Sequence, residues 1–109
     1  MEISRFSNEI IKIGDTFVAL STIYAIGDFH INGIRGYGEI FWAFPIKTCL
    51  GADGVVTIFG NSIPYYELDE EEFYGCKQEE HPVFINKKAE LIKVRDEVVD
   101  IWNEYLRER

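Results

Sequence analysis

Residues 86–107 constrain this chain more than any other stretch, because they read as one amphipathic helix behind an otherwise strand-like, glycine-punctuated sequence. Large apolar side chains recur there at Leu91, Ile92, Val94, Val98, Val99, Ile101, Trp102, Tyr105 and Leu106, in steps of three and four. That spacing gathers them on one broad face and leaves Lys93, Asp96, Glu97, Asp100, Asn103 and Glu104 to water. Asn86 is placed to cap the first turn, and Arg107 and Arg109 suit the negative end of the helix dipole. A helix so apolar on one side needs a partner, and the strands before it are the only candidates.

Those strands are short. Residues 9–13 predict a strand, Gly14 and Asp15 a tight turn, and residues 16–20 the returning strand. Residues 22–26 follow after a break at Ser21, and Ile3 and Phe6 allow a short strand at the start. Four glycines between 27 and 38 predict a long hairpin loop. Residues 39–50 are strand-like, but Pro45 removes a ladder donor and predicts an edge, bulge or bend there. Strands are expected at 55–59 and 63–68, a charged loop at 69–80, and a last short strand at 83–85. The expected architecture is a single domain over 1–109, mainly β with one long C-terminal α-helix. About seven strands form a bent antiparallel sheet or open barrel that the helix caps.

The charge distribution narrows the partners. The formal charge is −8, and residues 55–80 hold seven acids against Lys77 alone, so the acidity is local. Such a region repels nucleic acid and anionic membrane and steers a basic protein. The first residues lack a basic segment followed by an apolar one, and the apolar run 40–46 is too short to span a bilayer. A cytoplasmic location is therefore expected, with Cys49 and Cys76 as two reduced, partly buried thiols rather than a disulfide.

The sequence offers little for catalysis. His30 and His81 stand at no metal-ligand spacing, and neither CxxC nor HExxH occurs. Asp28 and His30 on the glycine-rich stretch read as a solvated pair, and Cys49 has no evident activating base. The run Asp69, Glu70, Glu71, Glu72 lacks the alternating ligands and central glycine of a calcium loop. Gly36 and Gly38 lead into an apolar strand rather than a helix, so they fail as a dinucleotide loop. The reading is a non-enzyme with no cofactor and no metal.

Over residues 7–26, SNEIIKIGDTFVALSTIYAI resembles the opening of bacterial pleckstrin-homology-like (PH-like) domains. The matching positions are Asn8, Ile10, Ile11, Gly14, Leu20, Ser21, Ile23 and Ile26. The terminal VFINKKAELIKVRDEVVDIW is similar to that family's last strand and capping helix. The resemblance covers some 20 residues at each end and implies a fold together with a habit of binding peptides or proteins. The family's phosphoinositide binders carry basic residues in the loop between the first two strands. Here that loop is Gly14 and Asp15, flanked only by Lys12.

Two binding readings remain. Tyr65, Tyr66, Phe73 and Tyr74 supply contact area, and Glu67, Asp69, Glu70, Glu71 and Glu72 supply charge, for a basic protein partner. Bacterial immunity proteins, and some phage proteins that block nucleic-acid-handling defence enzymes, are similar in this surface chemistry. The reading is thus an acidic inhibitor of the immunity or anti-defence type. The other reading is a small-ligand or peptide site from His30, Arg35, Tyr37 and Trp42 within residues 27–44. Monomer and homodimer both stay open, since the apolar run 39–44 could pair across a dimer if it formed a sheet edge.

Overall fold

The computed structural model describes residues 2–34, 39–50, 54–61, 63–64 and 82–108. Strands β1 (Ile3–Arg5), β2 (Ile10–Ile13) and β3 (Thr16–Ala19) form an antiparallel three-stranded sheet in sequence order. Gly14 holds φ 58° at the first central position of the two-residue β2–β3 turn, where a right-twisted hairpin needs a positive φ. Ile11 pairs with Val18 and both are buried, whereas Lys12 pairs with the exposed Phe17 on the other face. The break expected at Ser21 is a 3-10 turn over Leu20–Thr22, with the Thr22 hydroxyl donating to the Ala19 carbonyl at 2.7 Å.

The second sheet has five strands: β4 (Ile23–Ile26), β5 (His30–Ile34), β6 (Glu39–Thr48), β7 (Val55–Phe59) and β8 (Ile63–Pro64). The ten-residue β6 is its spine, with β4 and β5 along one side and β7 and β8 along the other. Alternation sends Ile40, Trp42, Phe44 and Ile46 inward. Helix α1 (Pro82–Arg107) lies across that inner face and fills it with Phe84, Leu91 and Val98. Ile11, Ile13 and Val18 of the first sheet belong to the same buried cluster, so both sheets and the helix share one core. The fold is α+β, with two open antiparallel sheets rather than a closed barrel.

Three sequence expectations need correction. The long loop expected over 27–38 is interrupted by β5 at residues 30–34, pairing Ile31 with Trp42 and Gly33 with Ile40, and residues 35–38 lie outside the described residues. Residues 83–85 are not a strand, because the helix begins at Pro82. A proline fits the first helical position, where no N–H is needed, and Phe84 continues the stripe of Leu91, Val98 and Tyr105 at steps of seven. Asn86 is accordingly inside the helix and does not cap it. The helix also buries less than its composition suggests, since Ile92 and Leu106 are 37% and 44% exposed.

Pro45 sits in the middle of this central strand because its neighbour changes there. β4 pairs with β6 as far as Ile26 opposite Ile46, and β5 resumes at His30 opposite Ala43. In the gap, Gly27 donates its N–H to the Pro45 carbonyl at 2.8 Å. The reciprocal bond needs an N–H that proline lacks, and Arg95 of the helix supplies it: its Nε donates to the Gly27 carbonyl at 3.0 Å. A Cβ on residue 27 would lie 2.5 Å from the Pro45 Cγ, so glycine is required opposite the ring.

Candidate interaction surface

The acidic-aromatic residues Tyr65, Tyr66, Glu67, Asp69, Glu70, Glu71, Glu72, Phe73 and Tyr74 lie outside the described residues. The elements on either side of them are described, and both are fixed at the same end of β6. Upstream, Pro64 and Ile63 pair with Glu39 and Ile40. Downstream, Phe84 in the first turn of α1 is 1% exposed, and its carbonyl accepts the buried indole N–H of Trp42 at 2.9 Å. Helix α1 also touches β8 directly. The chain between 64 and 82 is therefore tethered at two neighbouring points of the core, within a few residues of each other along β6.

The alternative site residues are not brought together. His30 is exposed and pairs with Ala43, whereas Trp42 is 3% exposed and pairs with Ile31. Adjacent residues of a strand point to opposite faces, so His30 and Trp42 cannot line one pocket. Phe44, two residues further along β6 on the same face as Trp42, is fully buried. Arg35 and Tyr37 lie outside the described residues.

What covers Trp42 is a feature that sequence reading missed. The Lys88 ammonium stands 4.8 Å from the Trp42 ring centroid and 5.5 Å from that of Phe29, and the Arg95 guanidinium lies 5.4 Å from Phe29. Lys88 and Arg95 are seven residues apart on one helix, beside the apolar stripe, so their stems pack on the sheet while their charges sit over rings. The signal was the seven-residue step of basic residues, which reads as solvated charge until the aromatic partners are known.

The remaining polar groups serve local structure. The Asp28 carboxylate accepts the Phe29 backbone N–H at 2.8 Å, a local turn contact, while His30 faces solvent one strand position further on. Cys49 is free and exposed at the end of β6, not partly buried as the sequence suggested, and Cys76 lies outside the described residues. Among the described residues, no three of His, Cys, Asp and Glu gather as a metal site. Near the helix C-terminus, Arg5 stands 3.7 Å from Glu104 beside an open groove lined by Asn8, Glu9, Tyr105 and Glu108.

Two aromatic pairs face outward. Phe6 and Phe17 meet edge to face at 5.1 Å on the first sheet, and Phe41 and Phe59 at 6.0 Å on the second. Among the described residues, no helix is long and apolar enough to cross a membrane. No family model, curated protein or solved structure matches the chain.

Proposed function

We propose that the chain is a non-catalytic interaction module that docks a basic protein through the acidic-aromatic stretch 65–80, as an inhibitor of the immunity or anti-defence type would dock a nuclease. One observation carries the reading. Seven acids, one base and four aromatic rings occupy a segment whose two flanks, β8 and α1, are anchored side by side on β6. Tethering both flanks lowers the entropy lost when such a segment engages a partner, and a single sign of charge raises the encounter rate with an oppositely charged one.

The fold proposed with it is PH-like. Its support is the N-terminal antiparallel meander, a second sheet after it, and a C-terminal helix packed on the core of both. The helical state of residues 83–85 departs from the last strand that the resemblance implies.

The test is recovery of the chain from its native host with mass spectrometry of what it retains, followed by binding to the isolated partner. Glu70, Glu71 and Glu72 changed together to Lys should abolish that binding. A basic partner bound equally by the triple variant would refute the reading.

A further inference from the structure

Strand β7 is the outer strand of the larger sheet among the described residues, paired only with β6. Two bonds fix which of its backbone groups are used: Thr48 donates to the Gly54 carbonyl at 2.7 Å, and Gly60 donates to the Trp42 carbonyl at 2.8 Å. Hydrogen-bonding direction alternates along a strand, so residues 54, 56, 58 and 60 turn their N–H and C=O groups toward β6. Val55, Thr57 and Phe59 turn theirs to the open edge. No charge lies along this strand: the segment Gly54 to Asn61 contains no acid, base or proline. Natural sheets use such residues to blunt edges, so an unguarded row of β-branched and aromatic residues is a pairing surface.

The side chains say what pairs there. Val55 and Phe59 are 53% and 44% exposed, on the outer face that also carries the Phe41–Phe59 pair. The strand VVTIF is self-complementary when laid antiparallel on itself about Thr57. Thr57 then meets Thr57 of the second copy, and each Val55 meets the other copy's Phe59. Threonine pairs and aromatic–β-branched pairs are both favourable across strands. All three outward-facing residues fall in hydrogen-bonded positions, so each pair exchanges two backbone bonds. A two-fold axis normal to the sheet produces this arrangement and keeps both outer faces on one side, joining two five-stranded sheets into one. A basic protein gains nothing from an uncharged edge, which separates this surface from the acidic stretch of the proposed function.

We propose that β7 is a self-association edge and that the chain forms a two-fold dimer by antiparallel β7–β7 pairing centred on Thr57. Three paired residues per strand make a small interface, so the dimer is expected to fill at tens of micromolar rather than at nanomolar concentration. Each copy carries a charge of −8, so salt should strengthen association by screening the repulsion between copies.

Sedimentation of the full chain at roughly 100 μM tests this, a concentration chosen above the range that so small an interface implies. The expected mass is twice the 12.6 kDa of one chain, with a dimer fraction that rises with salt. Thr57→Lys and Thr57→Glu each bring like charges together at the two-fold axis and should each run as monomers with an unchanged far-ultraviolet spectrum. An equimolar mixture of the two should recover the dimer, a result that misfolding of either variant would not produce. A monomeric wild-type chain, a Thr57→Lys chain that still dimerises, a mixture that stays monomeric, or a dimer that salt dissociates would each overturn the proposal.

Discussion

Replacing Arg95 by Met tests whether the helix completes the sheet at Pro45. The Arg95 Nε donates to the Gly27 carbonyl at 3.0 Å in a part-buried setting, and this is the bond that Pro45 cannot make. A hydrogen bond from a charged donor is worth roughly 1.5–3 kcal/mol, and partial exposure sets the value at the low end. The guanidinium over Phe29 adds roughly 0.5–1 kcal/mol. Arg95→Met should therefore destabilise by about 2 kcal/mol. In a Pro45→Val background, residue 45 regains an N–H aimed at Gly27, and the loss should shrink to about 1 kcal/mol, because only part of the Arg95 contribution remains. Urea unfolding of the four chains in this cycle gives both numbers. With a slope of roughly 1–3 kcal/mol per molar, the midpoint of the first variant should fall by about 1 M. Equal losses in the two backgrounds, within about 0.3 kcal/mol, would show that Arg95 does not stand in for the missing proline donor.

Further expectations follow from the same packing. Gly27→Ala should cost about 1–3 kcal/mol through collision with the Pro45 ring, and Pro45→Ala should restore most of it; urea midpoints of the single and double variants decide this. Leu91→Ala, at a 2% exposed site under the helix, should cost about 2–5 kcal/mol by the same measurement, and a loss below 1 would place the helix off the sheet. Trp42→Phe should cost at least about 1 kcal/mol more than Trp102→Phe, because the Trp42 indole N–H donates to Phe84 whereas that of Trp102 is buried without a partner among the described residues. Thermal unfolding of the pair gives the ranking, and the reverse order would contradict the bond.

Much of the fold was legible because local signals agreed with it. Gly14 and Asp15 marked a two-residue turn that needs a positive φ, and the flanking residues alternated as a hairpin should. The helical stripe was plain from Leu91 to Tyr105. The start of the helix was not, because Val83, Phe84 and Ile85 form an apolar triplet that reads equally as a strand. Pro82 and the seven-residue step from Phe84 to Leu91 were the signals that decide for a helix. Strand β5 was hidden because Gly27 and Gly33 suggested a loop, yet one glycine makes room for the Pro45 ring and the other sits in register with Ile40. That requirement comes from a contact across the sheet, which no local window contains.

The candidate site was legible as chemistry but not as placement. Clustered acids and rings stand out in any count of residues 65–80, whereas the placing of the flanks on either side of them depends on how β8 and α1 meet β6. Trp42 itself read as part of a ligand pocket or an exposed edge. Its even position on β6 turns it inward, and the helix residues Phe84 and Lys88 close over it.

The most direct test of the functional account is the association rate with the isolated basic partner, measured at low and at high salt for the wild-type chain and for the Glu70, Glu71, Glu72→Lys variant. Steering by a single acidic region predicts a wild-type rate that falls steeply as salt rises, and no measurable association for the variant at an unchanged unfolding midpoint. A wild-type rate indifferent to salt, or a variant that associates as fast as the wild type, would contradict it.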